Sequence, residues 1–384
     1  MKTQQVHLKA GTDFDSAMKK ASDIEPNFVL MFGAHEGFSS NGLANRVAKL
    51  YPKALVIGCS TAGEISNEGV FDDTLVVTAC HFEKPEFKPI SVEFASMDDT
   101  AKAGAQLAAQ LDGKGLRGIF LLGKGLNING SALIEGLRSQ VSEDVVITGG
   151  LAGDGGRFKE TFTILNGQIS SNRVVGFGIY GDSVQIAYGS MGGWESFGPV
   201  RKVTRSTKNV MYEIDGEPAL EIYKKYLGDK AKDLPGSGLL YPFALLRDNL
   251  DTTGLIRTIL AVDEKEKSLT FAGDIPQGGL VRLMHTSNTG LVSGARGAAK
   301  DVVSQMKSNG GNDGLGVLIS CVGRKLVMGA DVDDELEAVR DEFRGTVSGF
   351  YSYGEICPHA GKTESKLHNQ TMTITYFYEP KKVA

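Results

Sequence analysis

The apolar residues of this chain gather in short runs that read as buried strands: 28–32, 118–122 and 316–320. Each run is followed by a stretch with helical spacing, at 42–50, 130–141 and 333–343 respectively. Each helical stretch leads to a second strand that ends in a glycine turn, and a further β-rich run follows at 74–82, 161–165 and 370–378. Upstream of the first two runs lies one more strand–helix pair, 6–8 with 14–21 and 90–95 with 100–111. The stretch 280–285 with 294–306 fills the same place before the third. The pattern therefore predicts three related strand–helix–strand–helix–strand–strand units, over about 6–82, 90–181 and 281–378.

The turns carry the clearest internal repeat. Gly58-Cys-Ser-Thr-Ala-Gly-Glu-Ile65 and Gly349-Phe-Tyr-Ser-Tyr-Gly-Glu-Ile356 share one frame, and Gly149-Gly-Leu-Ala-Gly-Asp154 is a looser copy with Asp for Glu. The fold class expected is α/β with mixed sheets. A segment at about 183–279 breaks the pattern and reads either as a module inserted between the second and third units or as the head of a C-terminal domain. It offers strands at 184–188, 210–214, 241–246 and 255–262, and a helix over 218–227 that starts at Pro218 and stops at Gly228.

Composition narrows the function classes. An apolar share of 41% and a charged share of 23% fit an ordinary globular protein. A net charge of −5 leaves no clustered basic face for a phosphate backbone, so nucleic acid is not an expected partner; the longest basic groupings, such as Lys224-Lys225 and Lys381-Lys382, are short and read as solvated surface. Cys59, Cys80, Cys321 and Cys357 are far apart, which suits free thiols of a reducing compartment. Residues 1–10 have no signal-like apolar core and no run is long enough to span a bilayer, so a cytoplasmic protein without membrane insertion is expected.

Candidate chemistry sits at the strand ends, where α/β sheets bind ligands. The amides of the turns around Ser60, Thr61 and Glu64, and around Tyr351, Tyr353 and Glu355, suit an anion, and the acids suit a cation or a hydroxyl. The simpler reading is that Glu64, Asp154 and Glu355 close the turn by capping free amides. Tyr351 and Tyr353 replace the small Ser60 and Ala62 of the first copy, which suits a pocket wall or core filling. No hydrolase, P-loop or zincin motif is present. Gly58-Cys59-Ser60-Thr61 looks like a nucleophile turn, but no histidine stands near it in sequence, and an inert buried Cys59 is the plainer reading. The histidines show no metal spacing, whereas haem needs only one axial His or Cys and an apolar pocket.

These motifs, with Ser320-Cys-Val-Gly-Arg324, Leu367-His-Asn-Gln-Thr371 and Asn209-Val-Met-Tyr-Glu-Ile-Asp-Gly-Glu-Pro-Ala-Leu-Glu-Ile-Tyr223, resemble the hallmarks of FIST proteins. The resemblance implies a FIST N-terminal domain over 1–220 and a FIST C-terminal domain over 221–384. It also implies a bacterial sensory protein of signal transduction that binds a small ligand and acts through a separate protein such as a histidine kinase or a cyclic-di-GMP enzyme. The wording of the third turn is similar to the stand-alone NosP-type branch, which implies haem as cofactor, nitric oxide as signal, and His368, then His359, as axial ligand. A haem-free sensor of amino acids or similar metabolites, using the acidic turns, Asn369 and Arg324, is the alternative. A cysteine-dependent enzyme with Cys59 or Cys321 as nucleophile is the second alternative. The expected class is a sensor and not an enzyme, with a homo-oligomer left open.

Overall fold

The computed structural model describes residues 1–9, 11–39, 42–250, 252–306, 313–359 and 361–380; the Lys381-Lys382 pair lies outside them. The three-unit pattern is present, and each unit builds one mixed sheet. Within a unit the strands lie in the spatial order first, fourth, second, third. In the first unit these are Lys2–Leu8, Leu75–His81, Phe28–Gly33 and Leu55–Ser60. In the second they are Phe87–Glu93, Arg173–Tyr180, Leu116–Gly123 and Val146–Leu151. The second and third strands of each unit are parallel, so a crossover must join them. The helices Leu43–Leu50, Gly130–Arg138 and Val332–Arg340 supply it.

The third unit differs from the expectation. Its first strand is Gln185–Met191, which pairs along its whole length with Met372–Tyr378. Leu280–His285, expected in that place, pairs instead with Glu195–Thr207 and Phe243–Leu246 inside the insertion. The insertion thus interrupts the third unit between its first strand and its first helix, Asn288–Met306. It holds its own core, including Met211, Ile214, Leu220, Tyr223, Phe243 and Phe271. Its two ends meet at a neck, where Thr286 Oγ1 donates to the carbonyl of Gly193 at 2.7 Å.

After its third strand each unit sends a short hairpin onto its neighbour's sheet. Glu64–Ser66 and Gly69–Phe71 of the first unit extend the third unit's sheet. Thr163–Leu165 and Gln168–Ser170 of the second extend the first. Gly354–Pro358 and Ser365–His368 of the third extend the second. The exchange closes on itself, so three sheets form one body. The glycine turns are where the chain crosses, and the crossings bond in a ring. Ala62 N–H donates to Tyr351 O at 2.8 Å, Gly153 N–H to Ser60 O at 2.9 Å, and Tyr353 N–H to Leu151 O at 3.1 Å.

Both faces of each sheet are covered, which is why the strands read as continuous apolar runs. Phe28, Leu30 and Phe32 point inward to a core shared with Phe120, Leu122, Phe177, Leu315, Val317, Ile319 and Phe350. The alternate residues Val29 and Met31, Ile119 and Leu121, and Leu318 pack outward against helices. One glycine per unit is required by the close approach of the parallel strands. A Cβ on Gly58, Gly149 or Gly349 would lie 2.0, 1.9 or 1.9 Å from the carbonyl oxygen of Met31, Leu121 or Leu318.

Candidate functional site

The crossings carry the three turn acids to the strand ends, and there each closes a turn. Glu64 is buried and accepts from Thr61 Oγ1, from Thr74 N–H at 3.1 Å and from Thr74 Oγ1 at 2.7 Å. Glu355 repeats the pattern with Ser352 Oγ and Thr371 N–H. Burial raises both carboxyls, Glu64 to about 7 and Glu355 to about 8, against the hydrogen bonds that favour the charged form. Asp154 plays a different part: its carboxylate accepts from the amides of Phe158, Lys159 and Glu160 at 2.8, 2.7 and 3.0 Å, and from the Tyr353 hydroxyl. Burial opposes ionisation there, but the hydrogen bonds from Tyr353 and the three amides outweigh it and its acidity is increased.

Several further candidates are structural in their surroundings. Cys59 lies in the shared core, its thiol pushed up by burial. Ser60 Oγ donates to Gly153 O at 2.7 Å and accepts from Phe162 N–H at 2.8 Å, tying two crossings together. Arg324 is 0% exposed, and its guanidinium donates twice to Glu335 (3.1 and 2.7 Å) and to the carbonyls of Gly192 and Leu291 (2.6 and 2.9 Å). Tyr351 is core: it donates to the other oxygen of Glu335 at 2.6 Å. Thr61 and Glu64 line a small polar hollow of about 150 Å³ with His35, Asp72 and Arg157.

Tyr353 and Asn369 are the candidates that meet at a larger opening. A cavity of about 290 Å³ lies between the end of the third unit's sheet and the insertion. Its floor is Cys321, Val322, Gly323, Tyr353 and Asn369; its roof is Pro235, Leu239, Thr258, Ile259, Leu260 and Ala272. The insertion is held over it by Gln370 Nε2 donating to Leu239 O at 3.1 Å and Trp194 Nε1 donating to Gln370 O at 2.8 Å. Buried Arg257 adds a bond to Leu367 O at 3.2 Å. Tyr353 stacks on Phe158, ring centres 4.3 Å apart, and this pair also walls an adjoining cavity of about 190 Å³ that reaches Asn129, Lys208 and Asp274.

Two residues that line the 290 Å³ cavity each carry a buried side-chain oxygen without a partner, Thr258 Oγ1 and Asn369 Oδ1. The amide nitrogen of Asn369 is already used, donating to His368 O at 3.0 Å. Buried polar groups are normally paired, so such atoms mark a place where a partner belongs. A larger surface hollow of about 840 Å³, lined by Lys9, Asp13, Glu36, Arg46 and Asp73, has no unpartnered buried side-chain atom in its lining among the described residues. Sequence reasoning missed the whole roof, because Thr258 and Leu260 sit in an ordinary-looking β-rich stretch.

The histidines do not fit a haem. His368 is 0% exposed, lies 2.8 Å from the Cys357 carbonyl through Nε2, and packs edge-on against His359 with ring centres 4.7 Å apart. Burial, with His359 beside it, lowers its pKa to about 3, so it is neutral. Neither histidine lines any of the cavities described above, whereas an axial ligand needs an apolar slot open to its free nitrogen. Among the described residues no cluster of three or more His, Cys, Asp or Glu suits a metal ion, and no helix is long and apolar enough to cross a membrane.

The FIST N domain matches residues 27–217 and the FIST C domain residues 219–358. An uncharacterized protein of Methanocaldococcus jannaschii is 29% identical over 158 residues, covering 37% of this chain and 30% of that protein. The chain thus spans under a third of that relative's length. Among solved structures, cyanuric acid hydrolase from A. caulinodans aligns over 99% of both chains, at 8% identity and a TM-score of 0.38. FIST domains are generally small-ligand sensory domains of signal transduction. With both of its domains matched in order along the sequence, this chain belongs to the FIST family.

Proposed function

We propose that this protein senses a small molecule bound in the cavity between the third unit and the insertion, and that a separate signalling protein, such as a histidine kinase, reads the result. The observation that carries the reading is a largely apolar cavity lined by Thr258 and Asn369, two residues that each hold an unpartnered buried oxygen. They sit on opposite walls, one on the insertion and one on the third unit. A ligand that bonds both draws the insertion toward the body, which gives binding a structural consequence. The rim is the part a partner would feel, since Phe158, Leu260 and Leu326 there stay 49%, 45% and 58% exposed.

A sensor suits the chemistry of the floor better than a cysteine enzyme does. Cys321 faces the cavity, but burial foremost, then the nearby Glu355 carboxyl, pushes its thiol well up, away from the thiolate a nucleophile needs. The test is a thermal-shift screen of a metabolite panel against the protein and its Ala272→Trp variant, which fills the cavity from a shared wall. Compounds that stabilise the parent and leave the variant unmoved support the reading. Stabilisation that survives the substitution places binding elsewhere and overturns it.

A further inference from the structure

Resting on the proposed sensory cavity, the lining also points to a ligand class: we infer that the cavity selects an uncharged, largely apolar molecule that offers a hydrogen-bond donor. The fourteen lining residues, from Phe158 through Leu239, Leu260 and Leu326 to Asn369, include no Asp, Glu, Lys, Arg or His. A carboxylate or an ammonium moved into this space would lose its water and meet no opposite charge, so charged ligands are excluded by desolvation. A free amino acid would bury both charges at once.

The polar end has a defined sense. Asn369 Nδ2 donates to the His368 carbonyl while Oδ1 has no donor, so the unmet need of the amide is an incoming N–H or O–H. Thr258 lines the same space from the roof, and its hydroxyl, also without a partner, can accept as well as donate. Both residues are almost wholly buried, Asn369 at 1% and Thr258 at 3% exposure. The Asn369 oxygen is satisfied only by an N–H or O–H on the incoming molecule, whereas the Thr258 hydroxyl can bond a donor or an acceptor. The remaining walls are aliphatic, with the Tyr353–Phe158 stack along one side, which suits a flat ring system. A volume of about 290 Å³ admits a molecule of two fused rings with a small substituent.

Three naphthalenes that differ only in the substituent test this by calorimetric titration at pH 7. 2-Naphthol is neutral and carries a donor, 2-methoxynaphthalene is neutral without one, and 2-naphthoate is an anion. The expected order is 2-naphthol tightest, 2-methoxynaphthalene weaker by about tenfold or more, and 2-naphthoate weakest, because a site with buried acceptors rejects a molecule that leaves them unpaired. Asn369→Leu should reduce the gap between the two neutral compounds, while Thr258→Val, which removes a hydroxyl able to bond either one, should weaken both and retain the gap. Equal affinity for the two neutral compounds in the parent protein, tighter binding of 2-naphthoate, or no binding of any of the three overturns the ligand class. Ala272→Trp separates the two levels. If it abolishes binding while the order is wrong, the cavity stands and the ligand class falls. If it changes no affinity, the cavity itself is refuted.

Discussion

Replacing Arg324 by Met should destabilise the protein by about 3–5 kcal/mol, the range for breaking a buried ion pair by removing one partner. Arg324 and Glu335 are 0% and 1% exposed, so the carboxylate left behind has no water to turn to. It would keep Ser320 Oγ at 2.9 Å and Tyr351 OH at 2.6 Å and lose both guanidinium bonds. The carbonyls of Gly192 and Leu291 would lose their Arg324 donor as well, at roughly 1–3 kcal/mol for each that finds no replacement. Those two carbonyls sit at the neck of the insertion and on the helix Asn288–Met306, so the insertion's anchorage loosens along with the fold. Urea unfolding followed by the fluorescence of the single tryptophan, Trp194, reads both, since its indole bonds Gln370 O across that junction. The double variant Arg324→Met/Glu335→Gln should recover part of the loss, because a neutral amide still accepts from Tyr351 and Ser320 and leaves no unpaired charge. A single-variant loss below about 1 kcal/mol would refute the picture of a dry, fully used guanidinium.

Further expectations follow from the exchange of hairpins and from the buried acids. A fragment ending at residue 217 should not fold, because it lacks the third unit's sheet onto which Glu64–Ser66 pairs and the third unit's share of the common core; a soluble fragment with cooperative melting would contradict this. Replacing residues 194–285 by a short Gly/Ser linker should leave the three-unit body folded, since none of the described insertion residues lies in the shared core and the neck ends already touch; circular dichroism and a melting curve check it. Gly58→Ala should cost several kcal/mol, as its Cβ would lie 2.0 Å from Met31 O and backbone has to move; a melting temperature within about 2 °C of the parent would sink that argument. Glu64 and Glu355 have folded pKa values of about 7 and 8, above their ordinary value of 4.5. The folded state therefore holds protons that the unfolded chain releases, and their contribution is full below about pH 4.5 and lost as pH rises through 7 to 8. Glu355→Gln should flatten the fall in melting temperature between pH 5 and pH 9, on the order of a few kcal/mol across the window; an unchanged slope would contradict it.

Much of the body was legible in the sequence, for a physical reason. Strands covered on both faces read as unbroken apolar runs, and three recurrences of run, helix and glycine turn expose the repeat. The glycines themselves were visible, because nothing larger fits between the parallel strands at Gly58, Gly149 and Gly349. Partner choice was not legible. A hairpin strand of three residues such as Glu64–Ser66 carries too little pattern to tell its own unit's sheet from the next. For the same reason Leu280–His285 passed as the third unit's first strand: it is apolar and precedes the helix, while Gln185–Met191 earns that place only through its pairing with Met372–Tyr378. At the site, Tyr353 stood out because its counterpart Ala62 is small, and Asn369 because its motif is distinctive. Thr258 carries no such mark, and its significance arises only from lacking a partner once buried.

Hydrogen exchange with and without 2-naphthol tests the central claim most directly, because it maps binding without assuming a site. The account predicts slowed amide exchange on both walls of one cavity, in residues 235–240 and 258–260 of the insertion and in 321–323 and 369–371 of the third unit. Slowed exchange confined to residues 8–14 and 34–46, around the large hollow of the first unit, would contradict it, as would protection of neither wall.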